Sequence, residues 1–289
     1  AEPLRQRVPE LPEVETVRRG LERQAVGFKI ARVEVLRPRA IAAPPLPELF
    51  CAALEGCEVV GWLRRGKYLM GQLQRDGADG GHWGVHLRMT GQFLWMSETR
   101  DPCRHTRVRL WNHSGQELRF VDLRSFGEMW WVPPGEPLEQ VMTGLKRLGP
   151  EPFSEEFSPE HLRSRLAGSV RPIKTALLDQ SLVAGVGNIY ADESLFMSRI
   201  SPHTPSGRLK PKQLQTLHGA LVDVLRTSIG AGGTTFSDFR DLTGTNGNYG
   251  NAAWVYRRSG EPCRVCGTPI QRDKLGGRSS HWCPSCQAG

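Results

Sequence analysis

Four cysteines near the end of the chain carry the clearest chemistry. Cys263-Arg-Val-Cys266 and Cys283-Pro-Ser-Cys286 are two C-x2-C pairs separated by 16 residues. Four thiolates held in two turns suit a closed, tetrahedral all-sulfur site for one Zn2+. With four protein ligands no position is left for water, so such a metal is structural. Disulfides or plain packing thiols are the competing readings, and the spacing disfavours both. Cys51, Cys57 and Cys103 have no partner in sequence and read as packing residues.

A second group of residues could meet phosphates. In Gly185-Val-Gly187-Asn188-Ile-Tyr190 a helix opening at Asn188 would aim N–H groups and the positive dipole end outward. A nucleotide-binding glycine loop is a poor reading, because no strand precedes it and no third glycine is in register. A glycine bend between two packed helices is the plain alternative. Arg64-Arg65-Gly66-Lys67 is a basic turn that would ordinarily be solvated. Taken alone, Met89 and Phe126 read as core and His105 as structural.

These residues lie in a chain of 289 residues with mean hydropathy −0.41, net charge +8 and a pI near 9.4. That length suggests about two domains, and the charge favours a polyanionic partner. From Tyr256 onward six basic side chains (Arg257, Arg258, Arg264, Arg272, Lys274, Arg278) face only Glu261 and Asp273. Positive charge is therefore concentrated at the carboxyl-terminal end, as a phosphate-tracking surface requires. No stretch approaches the ~18 apolar residues of a membrane span, and Ala1–Val8 lacks the apolar core of a secretory signal. A cytoplasmic protein with reduced thiols is expected.

Periodicity supplies the elements that must position these groups. Val14, Val17 and Leu21 predict a helix over Leu11–Gln24, with Pro12 in its first turn. Alternation predicts strands over Ala31–Val35, Glu58–Leu63, Tyr68–Leu73, His82–Met89, Thr106–Trp111, Glu117–Val121 and Glu128–Val132, hence a β-sandwich. Pro133–Pro137 and Leu148–Pro152 mark a break and a linker. Beyond them Ser158-Pro159-Glu160 starts a helix, and Leu214, Leu217, Leu221, Val224 and Leu225 line another that ends at Gly230. Gly230–Gly250, with six glycines, predicts a mobile loop.

Pro9-Glu10-Leu11-Pro12-Glu13-Val14-Glu15-Thr16 resembles the amino-terminal signature of the formamidopyrimidine-DNA glycosylases. Leu182–Phe196 resembles their helix–two-turns–helix, the cysteine pairs their terminal zinc finger, and Gly232-Gly233-Thr234-Thr235-Phe236 their loop beside the flipped purine. The resemblance runs from Pro9 nearly to the end. It implies an α+β multidomain protein: an N-terminal β-sandwich with a flanking N-terminal helix, a helical helix–two-turns–helix domain and a zinc finger. The expected division is an extension over 1–8, a catalytic sandwich over 9–134, a linker over 135–152, a helical domain over 153–262 and a zinc finger over 263–289, with DNA crossing between the two halves.

The implied activity is excision of oxidised purines (8-oxoguanine and formamidopyrimidines) followed by cleavage of the abasic strand through β,δ-elimination. Pro9 would be the nucleophile through a free secondary amine, and Glu10 the proton donor. Lys67 would reach the phosphate beside the lesion, and Arg278 would grip phosphates and act in the final elimination. His105, Lys174 and Asn188 would bind backbone phosphates. Met89, Arg124 and Phe126 would fill the vacated stack, Arg124 reading the orphaned cytosine. Ser125 departs from the paired arginines of some relatives, so one phosphate contact is in doubt. The implied partner is duplex DNA bearing oxidised purines or abasic sites, handled by a monomer, away from membranes.

Eight residues, Ala1–Val8, precede Pro9 and make its nitrogen a tertiary amide. The active protein is expected to begin at Pro9, with Val8 standing where an initiator residue would be removed. Two rivals stay open: an endonuclease VIII-like enzyme for oxidised pyrimidines, against which PELPEVET rather than a PEGPE-type opening argues, and a silent lesion-binding protein if residues 1–8 are retained.

Overall fold

A computed structural model describes residues 9–233 and 249–289. The described chain divides into two compact units, one of 9–146 with 232–233 and the other of 147–231 with 249–289.

The first unit opens with α1 (Leu11–Ala25), which buries Val14, Val17 and Leu21 and has Pro12 in its first turn. There follow β1 (Phe28–Lys29), β2 (Arg32–Val35), β3 (Ile41–Ala43), α2 (Pro47–Leu54), β4 (Glu58–Arg65), β5 (Tyr68–Arg75), β6 (Ala78–His86), β7 (Gly91–Met96), β8 (Thr106–Trp111), β9 (Glu117–Asp122), β10 (Glu128–Val132) and the short α3 (Leu138–Val141). The strands form a six-stranded sheet in the order β1-β4-β5-β6-β10-β3 and a four-stranded sheet in the order β2-β8-β9-β7. Their inner faces share one core. Trp62 and Trp83 of the larger sheet meet Phe93 of the smaller at ring separations of 6.4 and 5.7 Å, and Phe93 continues to Phe120 at 5.3 Å. The sandwich is thus built as the alternation implied.

Two features differ from expectation. Met89 lies beyond β6, in the turn to β7, because the Gly91 N–H donates to the Leu87 carbonyl at 2.9 Å and Arg88 takes a φ of 52°. A side chain at Gly91 would stand 2.5 Å from that carbonyl, so only glycine closes the turn. β1, β3 and β7 went unread: the first two have two and three residues, too short to alternate. The boundary between the two units, at 146/147, falls within the stretch expected as a linker, and Met142 of that stretch, fully buried, fills the space that Gly84 leaves open on β6.

The second unit contains α4 (Pro159–Leu166), α5 (Ile173–Leu178), α6 (Asn188–Met197), α7 (Pro211–Gly230) and the hairpin β11 (Gln271–Leu275) with β12 (Arg278–Trp282). Ser158 caps α4, its hydroxyl accepting the His161 N–H at 3.1 Å. α7 buries Leu214, Leu217, Leu221, Val224 and Leu225. Thr234–Phe236 and most of the glycine-rich stretch expected as a loop lie outside the described residues. Among the described residues no helix is long and apolar enough to cross a membrane.

Candidate functional site

In the sandwich unit Pro9 and Glu10 are buried at the start of α1, and the Glu10 N–H donates to Glu13 Oε2 at 3.1 Å. Glu15, one turn further on, gathers three arginines: Arg18 at 3.0 Å, Arg19 at 2.9 Å and Arg64 at 3.1 Å. Burial alone would raise its carboxyl, but the hydrogen bonds of Arg18 and Arg19 and the charges of Arg18 and Arg64 bring it below the usual glutamate range. Arg64 also donates to the Gly66 carbonyl at 3.0 Å. The helix that begins beside Pro9 is thereby tied to the turn between β4 and β5 that carries Lys67.

His86, missed in the sequence, is paired across strands with Tyr68 and adjoins Lys67. Burial first, then the charges of Arg88 and Lys67, hold its imidazole well below the usual histidine range. Its Nδ1 accepts the Arg88 N–H at 3.0 Å. A neutral ring here adds no competing positive charge beside Lys67.

Met89 and Arg124 come together from separate turns, Arg124 Nη1 lying 3.5 Å from Met89 Sδ. Phe126 is 40% exposed, far too open for a core residue, and the Arg39 guanidinium sits 5.1 Å from its ring centre. Ser125 between them takes a φ of 58°, so Arg124 and Phe126 project from a tight arch. His105 is half-buried and its Nε2 accepts from Arg104 Nε at 2.9 Å.

In the second unit the four cysteines come together. Their ligand atoms lie within 4.8 Å of one another, with Cys263–Cys286 at 3.9 Å and Cys266–Cys283 at 3.5 Å between sulfurs. Zinc–sulfur bonds of ~2.3 Å in a tetrahedron place sulfurs ~3.8 Å apart, so the set fits one zinc. Backbone N–H groups of Val265 and Cys286 donate to the sulfurs of Cys263 and Cys283, both at 3.4 Å, as thiolates require. The protein thus has one structural zinc site. Cys57 is buried and Cys51 half-buried, as packing residues should be. Cys103 differs: it is exposed, its sulfur 3.4 Å from Thr106 Oγ1.

Two carboxylates of α6 that sequence reading overlooked tie down what surrounds it, Asp192 the hairpin beside the zinc site and Glu193 the segment 249–256 that precedes the first cysteine pair. Asp192 accepts the His281 N–H and Nδ1, each at 3.0 Å, and pairs with the Lys174 ammonium. Glu193, fully buried, accepts the N–H groups of Trp254, Val255 and Tyr256 at 2.7, 2.9 and 3.2 Å and the Tyr249 hydroxyl at 3.0 Å. Their only sequence signal was the Asp192-Glu193 pair inside an otherwise apolar helix.

Lys174 requires a correction. Its side chain is fully buried, and Nζ donates to Asp192, to Ser280 Oγ at 2.9 Å and to the Ser279 carbonyl at 3.2 Å. An ammonium has three N–H bonds, and all three are used inside the fold. Lys174 is thus a positioning residue for the zinc hairpin rather than a phosphate ligand. Asn188 opens α6 as expected, but its side-chain Nδ2 donates to the same Ser279 carbonyl at 2.9 Å. Arg278 is exposed at the head of β12, directly after Gly276-Gly277, whose φ values of 54° and 77° make the tight hairpin turn.

A β-sandwich, a set of helices and a four-cysteine hairpin, in this order, define a modular protein. Family models match each part: the formamidopyrimidine-DNA glycosylase N-terminal domain at residues 8–129, the H2TH domain of the same enzymes at 148–240, and the zinc finger found in FPG and IleRS at 260–289. A formamidopyrimidine-DNA glycosylase of Parasynechococcus marenigrum is 66% identical, covering 97% of this chain and 100% of its own length. That of Prochlorococcus marinus is 62% identical with the same coverage. Among solved structures, a Lactococcus lactis FPG mutant in complex with DNA containing Fapy-dG superposes with a TM-score of 0.88 at 35% identity, covering 97% of this chain and all of the other. The chain belongs to the formamidopyrimidine-DNA glycosylase family.

Proposed function

We propose that this protein is a base-excision repair enzyme that removes oxidised purines, 8-oxoguanine and ring-opened formamidopyrimidines, and then cleaves the abasic strand, working in the bacterial cytoplasm on nucleoid DNA. The observation that carries the reading is identity above 60% to formamidopyrimidine-DNA glycosylases along 97% of the chain. The N-terminal family model begins at residue 8, which supports an active form that starts at Pro9.

A terminal proline nitrogen suits the chemistry. An α-amino group has a pKa of ~7.7–8.0 against ~10.4 for lysine, so at neutral pH an appreciable share is unprotonated and nucleophilic. The Pro9 nitrogen attacks C1′ of the damaged nucleotide and the base departs with its bonding pair. A secondary amine then forms an iminium, which acidifies C2′ and allows elimination of the 3′ and then the 5′ phosphate. Glu10 donates a proton as the sugar ring opens and returns it later. Lys67 and Arg278 hold the flanking phosphates, with His105 and the opening turn of α6 at Asn188 supporting the strand. Met89, Arg124 and Phe126 occupy the stack from which the base is extruded.

Intact mass of the protein from its own host should show a terminal proline. Borohydride treatment with an 8-oxoguanine duplex should then trap a covalent adduct, absent from protein that retains Ala1–Val8. Equal trapping by the extended form would overturn the proline-amine mechanism.

A further inference from the structure

Thr90 and Asp122 have no part in the reaction above, yet every candidate DNA-facing group of the sandwich unit beyond α1, apart from Lys67, hangs on them. The Thr90 hydroxyl donates to Asp122 Oδ1 and accepts the Arg124 N–H at 2.9 Å. Asp122 Oδ2 accepts the Gly127 N–H at 2.7 Å. The same residue's backbone N–H donates to the His105 carbonyl at 2.9 Å, and its carbonyl accepts from Arg107 Nε at 2.8 Å. One buried aspartate, 1% exposed at the end of β9, therefore closes the arch over residues 123–126. Through Thr90 it ties that arch to the turn carrying Met89.

The residue types suit the task. An ionised carboxylate only accepts, so Asp122 can take a donor on each oxygen, which an amide in its place could not. A hydroxyl both donates and accepts, so Thr90 can relay between Asp122 and the Arg124 backbone. The base of the arch has no slack: a Cβ on Gly127 would stand 2.7 Å from Phe120 Cζ and 2.8 Å from Asp122 Oδ2. Together these contacts hold two separate turns at a fixed mutual distance. A side chain that must displace a stacked base gains from this, because a loop ordered only on binding would give up affinity to its own ordering.

We infer that the Thr90–Asp122 pair is a positioning device that holds Met89, Arg124 and Phe126 as one pre-organised wedge and thereby sets discrimination of the base opposite the lesion. This rests on the proposed role of those three residues.

Thr90→Val keeps the shape and removes the hydroxyl, whereas Thr90→Ser keeps the hydroxyl. In the zinc-loaded protein starting at Pro9, amide exchange at Arg124 should quicken by about tenfold in Thr90→Val, the equivalent of one lost hydrogen bond. The ratio of single-turnover excision rates for 8-oxoguanine opposite cytosine and opposite adenine should fall by about fivefold or more, the lower end of what a base-edge contact contributes. Thr90→Ser should restore both. Unchanged exchange in a folded Thr90→Val protein overturns the inference. So does a rate ratio unmoved by Thr90→Val but eroded by Arg124→Ala. If exchange responds to Thr90→Val while Arg124→Ala leaves the ratio intact, the pin stands and the reading of Arg124 as the base probe falls.

Discussion

Lys67, Arg278 and Lys174 are all cations that a charge count would treat alike, and their surroundings separate them. Arg278 is exposed at a hairpin tip, and Lys67 rides a turn braced by Arg64. Lys174 has no exposed surface and saturates its ammonium within the fold. Neutralising Lys67 or Arg278 should weaken binding to all duplexes and reduce the slope of log affinity against log salt by about 0.9 each. Lys174→Met should leave the slope of the folded protein unchanged. It leaves the buried Asp192 without its ammonium partner, held by His281 alone, which costs about 3 kcal/mol. Thermal unfolding and salt titrations of the three variants decide the matter: a slope reduced by Lys174→Met in folded protein would return it to the phosphate ligands.

At the scale of elements, the β8–β9 pair carries an ionic lattice whose function is support. Glu117, fully buried, binds Arg109 at 2.9 Å, Arg119 at 2.6 Å and the Thr99 hydroxyl at 2.5 Å. Arg109 and Arg119 then hold the Arg100 carbonyl, fixing the loop that leads to His105. Burial by itself would raise the Glu117 carboxyl, but hydrogen bonds from Arg119, Arg109 and Thr99 hold it at about 2. A depressed carboxylate contributes stability that is complete above its ordinary value of 4.5 and is lost as pH falls toward about 2. Acid unfolding of the sandwich should therefore extend into that window. Glu117→Gln should flatten this limb and cost about 3 kcal/mol or more at neutral pH by leaving two buried guanidiniums short of a counter-charge. A pH–stability curve identical in shape for both proteins would remove Glu117 from this account.

For the molecule as a whole, the two units have separate cores and separate sources of stability. The sandwich rests on a continuous aromatic and aliphatic core. The small cluster of Phe196, Val255, Ile270, Cys263 and Cys283 includes two of the zinc ligands themselves. A structural zinc can supply an apparent binding free energy of about 10–16 kcal/mol. Chelation should thus release one equivalent of zinc, melt the β11–β12 hairpin and abolish DNA binding, while the near-ultraviolet signal of the Trp62–Trp83 pair persists. Cys→Ser at any of the four positions should act in the same direction. Active, folded protein without zinc would end the assignment.

What sequence alone determined was whatever covalent spacing carries. The period of α1 and α7, the alternation of the longer strands, the Ser158 cap and the C-x2-C pairs are local patterns, set by helix and strand geometry over a few residues. The order of motifs along the chain likewise named the family. Tertiary structure decided the rest, because it concerned which polar groups meet after burial. Lys174 finds Asp192 from 18 residues away and Ser280 from 106, and Thr90 finds Asp122 from 32. No periodicity links such positions. What selects them is the cost of leaving a donor or charge unpaired in a low-dielectric interior, a cost that exists only once the surrounding elements have packed. That is why a lysine legible as a phosphate ligand became part of the frame, and why a threonine and an aspartate with no legible role hold together the turns of Met89 and Arg124.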